Sequence, residues 1–138
     1  QLSTNKIKQK IHLGAEIPFV NLNRVDGHQI IHNVLMNSLQ AMPAGGIIKI
    51  RTFIDKKSGL VVVEISDEGV GIKPEYISKV FEPFFTTKDV GKGTGLGLSI
   101  SYGIIQKHNG SIEVISEPGN GTEFIICLPI KQLPLKEN

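Results

Sequence analysis

The sequence holds a single cysteine and no tryptophan. Cys127 can form no disulfide within the chain and no multi-cysteine metal site. In the apolar run Phe124-Ile125-Ile126-Cys127-Leu128 it reads as a small buried hydrophobe. No stretch approaches the roughly 20 apolar residues that a membrane helix needs, and the opening QLSTNKIKQK has no apolar signal core. The piece is therefore expected to be soluble and cytoplasmic. An excess of one charge is also missing. Fifteen Lys and Arg stand against thirteen Asp and Glu, a net +2, and the basic residues are scattered, which gives no electrostatic case for nucleic acid.

What is present suits one folded domain. Apolar residues make up 40% and charged residues 20% of 138 residues, with no internal repeat. The division expected is a domain over 1–130 and a tail over 131–138. Lys8 to Val20 carries short alternating patches, one or two strands broken near Gly14 and Pro18. From Asp26 to Met42, Ile31, Leu35, Leu39 and Met42 recur at helical spacing, with Asp26 as N-cap and Pro43, Gly45 and Gly46 as the stop. Ile47 to Asp55 and Leu60 to Ser66 read as a hairpin around Lys56-Lys57-Ser58-Gly59. A short helix is expected to begin at Pro74, and Phe81 to Gly97 lacks any period and reads as a mobile loop. Leu98 to His108 reads as a helix stopped by Asn109-Gly110, followed by strands Ser111 to Ser116 and Thr122 to Leu128.

Five segments carry residue types suited to chemistry. On the first long helix, Gln29, Asn33, Asn37 and Gln40 fall within one narrow arc, and amide oxygens are hard neutral ligands able to share a magnesium ion with phosphate oxygens. A plain solvated face is the alternative. Asp67-Glu68-Gly69-Val70-Gly71 puts a carboxylate at a strand end beside a sharp turn, where it can accept from an exocyclic amine such as that of adenine. An ordinary Asp-Gly turn is the alternative there. Phe81-Glu82-Pro83-Phe84-Phe85-Thr86-Thr87-Lys88 could close over a ligand, Lys88 pairing with phosphate, or its aromatics could complete the core. Gly91-Lys92-Gly93-Thr94-Gly95-Leu96-Gly97 opens the next helix, where backbone amides can cradle phosphate, yet it is neither the Walker pattern nor a dinucleotide fingerprint. Gly119-Asn120-Gly121-Thr122-Glu123-Phe124 turns into the last strand, and the Thr122 hydroxyl could be a second polar contact beside Asp67.

In this order the five segments resemble the boxes of the sensor histidine kinase ATP-binding catalytic domain, within the superfamily that also holds the gyrase B subunit and MutL. Asn33-Val34-Leu35-Met36-Asn37 looks like the asparagine box, Asp67 to Gly71 and Gly91 to Gly97 like the first two glycine boxes, Phe81 to Phe85 like the phenylalanine box, and Gly119 to Phe124 like the last. The resemblance covers about Asp26 to Leu128. Gln40-Ala41-Met42-Pro43 followed by Gly45-Gly46, with Phe84-Phe85-Thr86-Thr87-Lys88, looks most like the nitrogen-regulator subtype.

The resemblance implies an α/β two-layer sandwich, a mixed and mostly antiparallel sheet with helices on one face, holding ATP and Mg2+. It implies that Asn37, with Asn33, works at magnesium and phosphates, and that Asp67 holds the adenine amine. Gly69, Gly71, Ile72, Phe84 and Thr122 are implied as further nucleotide contacts, with Gly93, Thr94, Gly95, Leu96, Gly97 and Leu98 along the triphosphate. Two departures stand out. Many relatives carry a Lys three places after the second Asn and an Arg just past the aromatic pair, where this chain has Gln40 and Thr86. Lys88 and Lys92 are the candidates to replace that charge.

The implied reaction is transfer of the γ-phosphoryl group to a histidine. In the gyrase-like branch a Glu fills the slot of Asn33 and activates water, whereas an amide cannot be a general base, so hydrolysis is expected to be poor. A neutral imidazole attacks without deprotonation and suits such a site. None of His12, His28, His32 and His108 stands in the phosphoacceptor setting, so the acceptor is expected on a dimerisation domain absent from this chain, with a response regulator downstream and, for the whole protein, a membrane anchor allowed. An ATP-gated clamp of the same superfamily and a nucleotide-binding interaction module without transfer are the alternatives.

Overall fold

The computed structural model describes residues 6–14, 17, 20, 22–85 and 96–130. Along them run β1 (Ile7–Leu13), α1 (Arg24–Gln40), β2 (Gly46–Asp55), β3 (Leu60–Asp67), α2 (Pro74–Ile77), α3 (Gly97–Lys107), β4 (Ser111–Ser116) and β5 (Thr122–Leu128). The five strands form one sheet in the order β1-β2-β3-β5-β4. β1 lies parallel to β2, and every other pair is antiparallel. This is the mixed, mostly antiparallel sheet expected.

Alternation decides which face is buried. Val61, Ile65 and Asp67 of β3 lie beside Leu128, Phe124 and Thr122 of β5, all buried and all on the side that receives α1 and α3. Ile30 and Val34 from α1 and Ile105 from α3 meet Ile48, Ile65, Ile112, Phe124 and Ile126 there. Fully burying side chains of this size contributes about 1.5–3 kcal/mol each. The reverse face carries Lys49, Arg51, Glu64 and Glu113, with Arg51 paired to Glu64 at 3.7 Å and lying 4.3 Å over the Phe53 ring. Cys127 falls on this reverse face by register and is half-buried, so the expectation of a buried core thiol is corrected.

Two expectations about α1 also change. Its N-cap is Asn23, not Asp26: the Asn23 side chain accepts from the Asp26 N–H at 2.8 Å, and Asp26 sits in the first turn, where its charge suits the helix dipole. The line facing the sheet is Ile30, Val34 and Ser38, whereas Ile31, Leu35 and Leu39 are only partly buried at its flank. The core line therefore runs between the apolar stripe and the amide arc.

α2 begins at Pro74, as the missing N–H of a first-turn proline allows. α3 ends at Lys107 with His108 as its C-cap, followed by Asn109 at φ 61°, a left-handed stop that asparagine tolerates. Among the described residues of the Lys8 to Val20 patches one strand forms, and Val20 makes an isolated bridge to Ile130. The segment 131–138 lies outside the described residues. No helix among them is long and apolar enough to cross a membrane.

Candidate functional site

Asp67 closes β3 and is fixed from three sides. Its register neighbours are Ile48 and Thr122, and its Oδ1 accepts from the Gly69 N–H at 2.8 Å. Two glycines let other backbone come this close. Gly121 has φ +82°, and a Cβ there would run into the Asp67 carbonyl; a Cβ on Gly69 would lie 2.5 Å from the Ala41 carbonyl oxygen. The turn is tied to the end of α1 by Val70 N–H donating to Ala41 O at 3.1 Å.

The other carboxylate oxygen is the exception. Asp67 is 7% exposed, and its Oδ2 has no hydrogen-bond partner among the described residues. Ser38 of α1, 0% exposed, is in the same condition at its Oγ. Burial pushes the Asp67 carboxyl above its ordinary value, while the Gly69 N–H, the Ser38 hydroxyl and the Thr122 N–H oppose the rise. The Ser38 hydroxyl thus lies near enough to favour the ionised form without a bond of good geometry to it. Buried polar atoms normally find partners, and an Asp67 Oδ2 without a well-aligned one is an acceptor open to an incoming polar group.

The amide arc divides into inner and outer members. Gln29 and Gln40 are exposed, Asn33 and Asn37 half-buried. Asn33 fastens α1 to the start of α3, its Nδ2 donating to Gly97 O at 2.9 Å and Ser101 Oγ at 3.1 Å, while its Oδ1 accepts from Gln29 at 3.3 Å. Asn37 makes no side-chain hydrogen bond among the described residues, which leaves its amide oxygen available. No group of three His, Cys, Asp or Glu that could hold a metal occurs among those residues. The donors present therefore fit an ion that brings phosphate oxygens and water with it, as magnesium does, and not one that needs a cage of protein ligands.

The remaining expected residues separate by position. Phe81 is structural: it stacks on Tyr102 at 5.3 Å and meets the edge of Phe124 at 6.4 Å. Phe85 contacts Tyr76 at 5.4 Å. Phe84 is 72% exposed, with φ 66°, a conformation costly for an aromatic residue and concentrated at functional segments. The Thr122 hydroxyl is already engaged with Ser116 Oγ at 2.8 Å, and Ile72 N–H donates to that same Ser116 oxygen at 2.8 Å. Leu96, Gly97 and Leu98 stand at the start of α3. Thr86, Thr87, Lys88 and Gly91 to Gly95, hence the expected contacts Lys88, Gly93, Thr94 and Gly95 and the candidate Lys92, lie outside the described residues.

A cavity of ≈ 250 Å³ opens at the ends of β3, β4 and β5, with Ser66, Asp67, Ser116, Gly121 and Thr122 among its walls. No residue of α1 or α3 is among its walls, and Ser66, Ile115 and Glu123 put part of it on the reverse face of the sheet. Sequence reasoning missed Ser38 and Ser116. For Ser38 the available signal was a hydroxyl four residues after Val34 in the core line of α1; Ser116 had none beyond ending a strand.

The profile of the family described as histidine kinase-, DNA gyrase B-, and HSP90-like ATPase matches residues 23–132. The chain is 43% identical to the sensor kinase CckA of Brucella abortus over 136 residues, covering 89% of this chain and 14% of that protein. It is 37% identical to sporulation kinase E of Bacillus subtilis over 132 residues, covering 96% of this chain and 18% of that protein. Among solved structures, the catalytic domain of histidine kinase ThkA in a nucleotide-free form superposes with a TM-score of 0.75 at 33% identity, covering 91% of this chain and 80% of that one. The chain spans less than a fifth of the length of these two curated relatives. By its strand order, its segments and these relatives, this chain belongs to the histidine kinase-, DNA gyrase B-, and HSP90-like ATPase family, as an ATPase catalytic domain of the histidine kinase type.

Proposed function

We propose that this domain binds Mg-ATP between α1 and α3 and passes the γ-phosphoryl group to a histidine on a dimerisation domain outside this chain. The observation that carries the reading is the buried, unpartnered Asp67 Oδ2 at the end of β3. A carboxylate in such a place gains most from a donor delivered by a ligand, and the adenine amine is that donor. Gly69 and Gly71 let the base approach the backbone, with Ile72 and Phe84 against it and Thr122 holding the floor through Ser116.

Phosphoryl transfer asks a protein for position and charge neutralisation more than for bond chemistry. Asn37 offers its amide oxygen toward a magnesium ion, which when bound neutralises phosphate charge. Asn33 aligns α1 with the α3 N-terminus, and its oxygen, which accepts one bond from Gln29, keeps a second lone pair to offer. The amides of Gly93 to Gly97, with Thr94, Leu96 and Leu98, follow the triphosphate, and Lys88 supplies the positive charge. With an amide at Asn33 the site holds no general base there, so it is a poor hydrolase and awaits a nucleophile that needs none, a neutral imidazole.

The proposed nucleophile is not one of the chain's own histidines, none of which stands in the phosphoacceptor setting. His12, His28 and His32 are exposed on β1 and α1, and His108 Nδ1 pairs with Ile104 O at 2.8 Å. The acceptor domain and a downstream response regulator complete the pathway, with the catalytic domain on the cytoplasmic side. Calorimetric titration with a non-hydrolysable ATP analogue, with and without magnesium, tests the site on wild type and Asp67→Asn. Saturable binding weakened by the substitution is expected; no binding by folded wild type sinks the reading. Adding a separately made acceptor domain with ATP should then produce acid-labile, alkali-stable phosphate on its histidine.

A further inference from the structure

We infer that the free edge of β1 takes an extended segment of a partner protein whose side chains alternate acidic and apolar, added to the sheet as a sixth strand.

The register of β1 on β2 gathers cations that lie scattered in the sequence. Lys10 stands beside Lys49 and His12 beside Arg51, with Lys8 beside Ile47 on the same face. Lys8, Lys10, His12, Lys49 and Arg51 are all exposed, on the face opposite α1 and α3. Neighbouring strands lie about 4.8 Å apart, so like charges placed side by side cost stability. Arg51 has Glu64 at 3.7 Å, whereas Lys8, Lys10 and Lys49 make no ion pair among the described residues.

The other face of the same strand is apolar and open. Ile11 is 49% and Leu13 70% exposed. Lysine on an edge strand is a common guard against pairing with another chain, and that is the plain alternative. It accounts for Lys8 and Lys10. It does not account for Lys49 and Arg51, which lie one strand inside the edge, nor for Leu13, whose exposure works against a guard.

Among the described residues β1 is paired on one side only, so half of its backbone donors and acceptors face outward. A strand added there hydrogen-bonds through its main chain and sets its side chains in line with those of β1. One set then stands beside Lys8, Lys10 and His12, and carboxylates complement it. The other stands beside Ile11 and Leu13, and apolar groups complement that. Pairing β1 with β1 of a second copy would set lysine against lysine, so the pattern selects an acidic strand over self-pairing. The chain's own termini do not supply one: residues 1–5 hold no charged side chain, and those of 131–138 are Lys131, Lys136 and Glu137.

The test is fluorescence anisotropy with labelled peptides of the strand's own seven-residue length. One peptide alternates glutamate and valine, and an isomer carries the same residues with the glutamates in one block. The alternating peptide should bind roughly tenfold more tightly than the isomer, lose affinity as salt rises, and slow hydrogen exchange in β1. Lys10→Glu should weaken that binding roughly tenfold yet melt at or above the wild-type temperature, because it relieves the like charge beside Lys49. Equal affinity for the two peptides overturns the added strand and leaves a site for polyanions. Binding of neither overturns the inference and leaves the lysines as a guard of the edge. Lys10→Glu that binds the alternating peptide as wild type does overturns it too. Self-association of wild type that Lys10→Glu abolishes, read by sedimentation without peptide, would assign the edge to a second copy and overturn the foreign partner.

Discussion

Asp67 is buried with one oxygen unpaired, and its two opposed pH effects can be measured separately. Its carboxyl is raised above 3.8, chiefly by burial. Below the unfolded value both states are protonated and the residue costs nothing. As pH rises from there to the raised folded value, the unfolded chain has lost the proton and the folded chain keeps it, so ligand-free stability falls. Above the folded value the cost is fully present. Asp67→Asn removes this slope, so the ligand-free variant should be the more stable at neutral pH, the two curves converging in acid, as denaturant melts across pH would record. Binding runs the other way, since the ionised carboxylate is the better acceptor. Affinity for the ATP analogue should rise with pH in wild type, and Asp67→Asn should lose about 1.5–3 kcal/mol of it. Asn37→Ala should instead leave metal-free nucleotide affinity within about tenfold of wild type and abolish magnesium-dependent transfer, since one neutral amide contributes about 0.5–1.5 kcal/mol to binding. Asp67 and Asn37 were legible in the sequence because each sits in a motif. Ser38 was not, because its place against the Asp67 carboxylate is set by tertiary packing that no local pattern encodes.

Helix α1 shows how an element can be recognised while its phase is missed. Its existence followed from the periodic apolar residues, but Asn23 and Asp26 both satisfy the N-cap preference, and placing the stripe at Ile31 and Leu35 drew the cap toward Asp26. The contacts with the sheet instead select Ile30, Val34 and Ser38, and with that phase the Asn33 amide meets α3. Asn33 is therefore a strut as well as a candidate site residue. Asn33→Ala removes two donated bonds and leaves the Ser101 hydroxyl, 0% exposed, without its amide donor. A loss of about 1–3 kcal/mol in unfolding free energy is expected. Thermal melts of the ligand-free variant check this, and an unchanged midpoint would remove the strut. The strands were easier. Ser111 to Ser116 and Thr122 to Leu128 were delimited by their alternation and by the glycine turn between them, a local signal that no distant contact overrides.

The order β1-β2-β3-β5-β4 was legible only in its hairpins. Pairing β3 with β5, and β1 in parallel with β2, depends on contacts between segments far apart in the chain, which turn chemistry cannot encode. This arrangement makes stability uneven across the molecule. β3 and β5 are flanked by strands on both sides, and Ile65, Phe124 and Ile126 on them are 0% exposed. β1 lies at an edge, is held by one parallel ladder, and leaves Ile11 49% and Leu13 70% exposed. Little apolar burial opposes its opening, so its amides should exchange through a local event, while those of β3 and β5 exchange only when the whole domain unfolds. Hydrogen exchange read by mass spectrometry should find β1 deuterated well before β5. Adding nucleotide should slow exchange at the end of β3, in residues 68–72 and along α1, and leave β1 unchanged, because none of the proposed contacts reaches it. Exchange in β1 as slow as in β5 would place the edge strand inside the cooperative core. Protection of β1 by nucleotide would mean that the edge is coupled to the site through β2.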